Sequence, residues 1–345
     1  MNNGRATYNK AQCLECLDVI ESRYRHDFVW CSCESLAVDG GSSHLKRNFK
    51  AGWVERSFPG INPGATLKAI ETQISESNRP KYITNIDYIT YMGSQAYGVS
   101  TKDSDIDLYG ICLPPAEVLF PHLAGYVDNF DAQIPNFNNW QSQKQNLVID
   151  DKKADVTIYS VISYIKLLVE NNPNMLDSIY TNYATCVLDL GPVGSYLRQI
   201  RDSLLHKGAF HKFRGYAHSQ KQKMLNKHPG EESSRHEGFK EMGFDVKAGY
   251  HSVRMLLECK QVLETGTIDL CKDSSTLKEI REYKWDANRI LTFFNEIEPE
   301  LDALYAKSDL PYSPDPKKSK KVLYNCLRIS GQYKEKEIEF IKKGL

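Results

Sequence analysis

Asp105 and Asp107 stand one residue apart in Ser104-Asp105-Ile106-Asp107, shortly after the pair Gly93-Ser94. On a β-strand, residues i and i+2 project from one face. Both carboxylates therefore point the same way, while Ile106 and Leu108 turn into a core. Two carboxylates held close together repel unless a cation lies between them, and hard oxygen ligands of this kind favour Mg²⁺ or Mn²⁺. Tyr88 to Met92 is rich in β-formers and reads as a strand leading into Gly93-Ser94, where a strand should give way to a helix. A glycine there admits a phosphate to the backbone, the N–H groups of a helix start attract it, and the Ser94 hydroxyl adds a donor. Each piece alone is common. Together, in this order, they place a nucleoside triphosphate beside a metal pair.

The 345 residues are enough for two or three cores. Ala65 to Ser77 has Leu67, Ile70 and Ile74 at helical spacing. Asp105 to Leu113 alternates in the strand manner and is stopped by Pro114-Pro115. The stretch 121–151, dense in Asn, Gln and Asp, reads as a long loop. Val156 to Tyr159 is a third strand and Val161 to Val169 a helix that ends near Asn172-Pro173. Beyond Gly191 the periodicity is helical, over 193–205, 209–226, 245–264, 275–306 and 317–341. The division that follows is a module over 1–50, a Pro/Gly linker over 51–64, an α/β domain over 65–190 and an all-helical domain over 191–345.

Four of the nine cysteines fall in the first module, as Cys13-x-x-Cys16 and Cys31-x-Cys33. Two thiolate pairs on turns can converge into a tetrahedral Cys₄ site, and a module this small needs such a staple. A complete set of four makes the zinc structural, since no position is left for chemistry. Arg23, Tyr24, Arg25, Phe28, Trp30, Lys46 and Arg47 lie close by and suggest a docking surface.

Forty-four basic residues equal forty-four acidic ones, which excludes a uniformly basic nucleic-acid coat and leaves only local patches. No apolar run approaches the roughly 20 residues that cross a bilayer, and the first ten residues lack a signal-peptide core. The expectation is a cytoplasmic chain with no membrane contact; oligomeric state leaves no trace in the sequence. In the helical half, Lys247, His251 and Arg254 share one face by i, i+4, i+7 spacing, and Arg214, His218 and Lys221 repeat the pattern. Such stripes either clamp phosphates or are solvated faces. Tyr216 and Tyr250 can stack on a base or pack into a core.

The run Gly93-Ser94-x-x-Tyr97-Gly98…Ser104-Asp105-x-Asp107 resembles the minimal nucleotidyltransferases of the DNA polymerase β superfamily. More narrowly it is similar to the bacterial and phage group associated with RNA repair. Asp155-Val156-Thr157-Ile158-Tyr159-Ser160, Asn172-Pro173-Asn174-Met175-Leu176, Phe213-Arg214-Gly215-Tyr216-Ala217 with Gln220, and the run Asp245 to Arg254 fit that group, so the resemblance covers roughly 65–310. It implies an α+β fold: a mixed sheet with flanking helices, then an all-α domain, here preceded by a zinc-ribbon-like module. It also implies a third metal-binding carboxylate, matched by Asp155 rather than by Asp150 or Asp151. The nucleotide contacts it implies fall on Gly93, Ser94, Ser104, Arg214, Tyr216, Lys247, His251 and Arg254. Asp177 departs from the pattern, where Glu is expected. The implied reaction moves an NMP from an NTP, ATP included, to a hydroxyl, with an RNA 3′ end as favoured acceptor. A protein side chain, a small molecule or a catalytically inactive nucleotide sensor are the alternatives.

Overall fold

The computed structural model describes residues 9–50, 52–55, 83, 85–102, 104–119, 139–141, 147–149, 152–226 and 236–331. Six short strands open the chain: β1 (Lys10–Cys13), β2 (Val19–Glu21), β3 (Val29–Trp30), β4 (Leu36–Asp39), β5 (Lys46–Phe49) and β6 (Trp53–Glu55). They form two antiparallel sheets, β2-β1-β6 and β3-β4-β5. Ala11, Cys13, Ile20, Cys31, Leu36 and Val38 fill the space between the sheets. β6 lies in the stretch expected to be linker. Its Trp53 and Val54 pair with Cys13 and Gln12 and close the second edge of β1, which would otherwise expose unpaired backbone. The helix expected over 65–77 lies outside the described residues.

The second region contains β7 (Ile86–Tyr91), the one-turn helix α1 (Gly93–Ala96), β8 (Ile106–Cys112), β9 (Asn139–Gln141), β10 (Leu147–Ile149) and β11 (Lys152–Ser160). Helices α2 (Val161–Val169) and α3 (Pro173–Tyr180) and strand β12 (Val187–Leu190) follow. The sheet order is β10-β11-β8-β7-β12, with β9 on the same edge of β11 as β10. β8 and β11 run parallel and the remaining pairs antiparallel, so the sheet is mixed. β9 and β10 correct the expectation of a loop throughout 121–151. Their alternation is only three residues long and is hidden in polar surroundings, yet Trp140, Leu147 and Ile149 are buried against Ala154, Val156 and Ile158.

Side chains of β8 and β11 leave the sheet alternately, as the pleat requires. Ile106, Leu108, Val156 and Ile158 cover one face. Ile111 and Tyr159 belong to the other, where a core continues unbroken into the helices. Buried tyrosines stitch that layer together. Tyr88 Oη donates to the Ser178 carbonyl at 2.6 Å, and Tyr164 Oη lies 2.6 Å from Ser178 Oγ. Ser160 caps α2, Asn172 caps α3, and Pro173 occupies the first turn of α3.

The helical region holds α4 (Pro192–Ile200), α5 (Gly208–Asn226), α6 (His236–Met242), α7 (Val246–Thr265), α8 (Ser274–Arg281), α9 (Ala287–Lys307) and α10 (Pro316–Ile329). The one helix expected over 275–306 is two. Tyr283 takes φ of 61°, and Asp286 starts α9 by accepting from Arg289 N at 2.7 Å. A local side-chain bond thus outweighs a continuous apolar period. α7 is framed by its Asp245 cap and by Gly266 at φ of 66°. The part of the expected 317–341 helix beyond 331 lies outside the described residues. Arg328 on α10 donates to the carbonyls of Leu14 and Glu15 at 2.7 and 2.9 Å, fastening the N-terminal module to the helices. Among the described residues no helix is long and apolar enough to cross a membrane.

Candidate active site

Asp105 is exposed and stands immediately before β8, and Asp107 is the second residue of that strand. In the parallel β8–β11 pair, Asp155 is the register partner of Asp107 and Thr157 that of Tyr109. Register partners project from the same face, so Asp107 and Asp155 are neighbours across the strands. The sheet brings together two carboxylates that lie 48 positions apart in the sequence. Asp150 and Asp151 lie outside the described residues.

Gly93 adopts φ of 59°, and a Cβ built there would come 2.1 Å from Asp107 Oδ2. The turn therefore lies directly against the carboxylate, and only the absence of a side chain permits both the conformation and the approach. Met92 N donates to the Asp107 carbonyl at 2.8 Å, locking the turn to β8. The Ser94 carbonyl accepts from Val99 N, so the segment folds back as a compact loop. Ser104 Oγ accepts from Thr101 N at 2.9 Å; this serine shapes the turn before the carboxylates.

A cleft of about 280 Å³ opens over this turn. Gly93, Tyr97, Asp107 and Tyr109 form its sheet side, and Asn174 contributes from α3. Tyr216, Gln220 and Lys223 come from α5, and His251, Arg254 and Met255 from α7. Burial pushes the Asp107 carboxyl above its ordinary range. The Lys247 ammonium opposes that rise, and the charges of Asp155 and Asp105 add to it. Among the described residues only the cysteines bring three or more ligand atoms within 4.8 Å of one another. Asp105, Asp107 and Asp155 do not converge that closely.

The two cationic stripes behave differently. Arg214, His218 and Lys221 turn away from the cleft and bind α9. Arg214 pairs with Asp302 at 3.0 Å and Glu298 at 3.7 Å, His218 Nε2 lies 2.6 Å from Glu298, and the Lys221 ammonium sits 4.4 Å from the Phe294 ring centroid. For Arg214 this corrects the expectation of a nucleotide contact. The cleft side of α5 carries Tyr216, Gln220 and Lys223, the same spacing begun two residues later and so about 200° around the helix. That shifted pattern was the available signal for Lys223. Lys247 is exposed near Asp107, and His251 lines the cleft, its ring 4.8 Å edge-on from Tyr250. Asn172 Nδ2 donates to the Tyr216 hydroxyl at 3.3 Å, linking α3 to α5.

Arg254 lines the cleft yet is almost fully buried. Its Nη1 donates to Asp177 Oδ2 at 2.5 Å and to both Glu258 oxygens at 2.9 and 3.0 Å. Its guanidinium carbon stands 4.1 Å from the Tyr97 ring centroid, and Tyr97 Oη donates to Asp177 Oδ2 at 2.6 Å. Asp177, whose role the sequence left open, joins the loop after Gly93 to α7. Two carboxylates around one guanidinium leave an excess negative charge. Burial pushes the Glu258 carboxyl up to about 8 against the pull of the Arg254 guanidinium, the direction that favours a proton on it and a cluster nearer neutrality.

In the N-terminal module, Cys13, Cys16, Cys31 and Cys33 converge within 4.8 Å. Cys33 Sγ lies 3.7 Å from Cys13 Sγ and 3.5 Å from Cys31 Sγ. A tetrahedron with Zn–S bonds of about 2.3 Å has S···S edges of about 3.8 Å, so the four thiols fit a zinc ion. Burial raises the Cys13 thiol to about 12, while hydrogen bonding, first from Ser35, lowers Cys33 to about 6.

A mixed sheet bearing aspartates on neighbouring strands, followed by a helical region that walls the cleft, is the architecture of a nucleotidyltransferase. The chain belongs to the RNA repair pathway DNA polymerase beta family (RlaP), whose model matches residues 65–322. Residues 5–49 match a domain of unknown function. An uncharacterized 38.9 kDa protein of Enterobacteria phage T4 is 29% identical over 135 residues, which span 39% of this chain and 37% of that protein. A crystal structure of a nucleotidyltransferase-like protein from Exiguobacterium sibiricum aligns over 82% of this chain and 92% of its own, at 11% identity. Its TM-score is 0.25, too low to carry an argument.

Proposed function

We propose that this nucleotidyltransferase moves a nucleoside monophosphate from an NTP to a 3′ hydroxyl of RNA and releases pyrophosphate. The observation that carries the reading is the register pairing of Asp155 with Asp107 against the side-chain-free Gly93. Asp105, Asp107 and Asp155 would hold the divalent cation. Such a cation supplies charge neutralisation on the triphosphate and activation of the attacking hydroxyl.

The chain's own groups do the rest. Gly93 gives a phosphate access to the backbone of the turn, and Lys247 offers positive charge beside the carboxylates. His251, Gln220 and Lys223 on the helical wall can donate to phosphate or ribose oxygens, and Tyr216 presents a half-exposed ring to a base. Arg254, held by Asp177 and Glu258, contributes one fixed donor surface and not a mobile clamp. No protein base is needed for the proton, because positioning and electrostatics account for most of the rate.

The test is incubation with Mg²⁺ and each radiolabelled NTP in the presence of bulk RNA, protein and small-molecule acceptors. Label on RNA 3′ ends supports the reading, and label only on polypeptide or a small molecule replaces the acceptor. Asp107→Asn and Asp155→Asn should each lower transfer at least about 100-fold, the scale of a lost electrostatic contact to the transition state. Undiminished transfer in both would end the site assignment.

A further inference from the structure

Helix α1 is a single turn of four residues, too short to hold its shape by its own hydrogen bonds. Yet Gly93, its first residue, stands directly against Asp107. The turn is closed from its far end. Tyr97 N donates to the Gly93 carbonyl at 3.3 Å, and Val99 N donates to the Ser94 carbonyl at 2.9 Å. Where Tyr97 and Val99 are held therefore sets where Gly93 lies.

Both are held by helices. Tyr97 is 3% exposed, and its hydroxyl donates to Asp177 Oδ2 on α3 at 2.6 Å. The Arg254 guanidinium on α7 donates to the same carboxylate oxygen and stands over the Tyr97 ring. Arg281, the last residue of α8, donates from Nη1 to the Val99 carbonyl at 2.8 Å. Asp177 is fully buried, where a hydrogen bond to a charged group is strong and water does not replace it. α7 also carries Lys247 and His251, so the chain of contacts from Tyr97 through Asp177 to Arg254 ties the turn to the cationic wall of the cleft as well as to the sheet.

We propose that Tyr97 and Arg281 are positioning residues for nucleotidyl transfer. Tyr97 acts through Asp177 and Arg254, and Arg281 through the Val99 carbonyl; together they let α3, α7 and α8 hold Gly93 against Asp107. The proposal rests on the catalytic reading above. The Tyr97 hydroxyl is taken up by Asp177, so it acts on the reaction only through the turn it closes.

The experiment uses the full chain with Mg²⁺, labelled NTP and the acceptor that the transfer assay identifies, and reads kcat, KM, a thermal melt and hydrogen exchange at the amides of residues 93–97. Tyr97→Phe keeps the ring over Arg254 and removes only the bond to Asp177. It should lower kcat about 10-fold, the loss of a hydrogen bond to a charged group, with KM for NTP little changed, and it should speed exchange in the turn. Adding Arg281→Met should bring the loss to about 100-fold, the scale of a misplaced reacting centre. Tyr164→Phe is the matched control: it deletes another buried hydroxyl, 2.6 Å from Ser178 Oγ on the same helix as Asp177, and should cost stability while kcat and exchange in the turn stay as in wild type. If Tyr97→Phe does not fold, Arg281→Met alone, at a half-buried residue, decides on the same readouts. Equal kcat in Tyr97→Phe and Tyr164→Phe overturns the positioning role and leaves the catalytic reading standing, as does faster exchange in the turn with kcat unchanged. A folded wild-type chain that transfers from no NTP to any acceptor removes the catalytic reading and the positioning role with it.

Discussion

Replacing Gly93 by alanine isolates the contact on which the proposed catalytic geometry depends. The new Cβ would lie 2.1 Å from Asp107 Oδ2. A comfortable carbon–oxygen approach is about 3.3 Å, so the carboxylate or the turn must retreat by about 1 Å. A displacement of that size at a reacting centre costs on the order of 100-fold in rate. The substitution also forces an L side chain into φ of 59°, for about 1–2 kcal/mol of strain. Gly98→Ala separates the two effects. Gly98 has nearly the same conformation, φ of 66°, but its Cβ would meet Cys271 Sγ at 3.3 Å and Ser274 Cβ at 3.8 Å, and no carboxylate. Thermal melts and NTP-transfer kinetics at saturating Mg²⁺ should show similar stability losses in the two variants and a large fall in kcat/KM in Gly93→Ala alone. Equal activity in the two variants would refute the claim that Gly93 exists to let Asp107 stand where it does.

Other consequences follow from the buried groups. Burial raises Glu258 from 4.5 to about 8, so the folded chain keeps a proton that the unfolded chain releases. Stability from this group is full below 4.5 and declines as pH rises towards about 8; melts of wild type and Glu258→Gln across that window should diverge, and parallel curves would sink the assignment. Arg254→Met leaves the buried acids Asp177 and Glu258 without their guanidinium partner and should cost about 3–5 kcal/mol, much of it restored by adding Asp177→Asn and Glu258→Gln. Full stability in the single variant would show that the cluster is not paired in solution. Chelation, or Cys31→Ser, should release about one zinc ion per chain and unfold the N-terminal strands as seen by circular dichroism; a metal-free chain with an unchanged spectrum would dismiss the zinc site.

Much of this organisation was legible in local pattern. The cysteine spacing announced a four-thiol cluster, and the alternating apolar run after Asp105 announced the strand that carries Asp107. Ser160 and Asp245 cap the helices that periodicity had marked. What escaped was short or depended on a distant partner. β9 and β10 are three residues each, too short for a period to show, and exist because β11 offers them an edge. β6 escaped because prolines and glycines surround it, although β1 needed a second neighbour. Arg214 and Tyr216 sit in the same short motif, and only helix packing reveals that one faces α9 and the other the cleft.

The sequence by itself determined which residue types are present and on which local elements, because periodicity, capping and turn chemistry act within a few residues. It therefore set the four-cysteine cluster, the acids at and just before β8 and the change from sheet to helix. Only the tertiary structure decided that Asp155 stands beside Asp107 and that Arg254 is buried between Asp177 and Glu258. Register, burial and charge pairing arise between segments far apart in the chain, where the strength of an interaction depends on what else has been excluded from the same space.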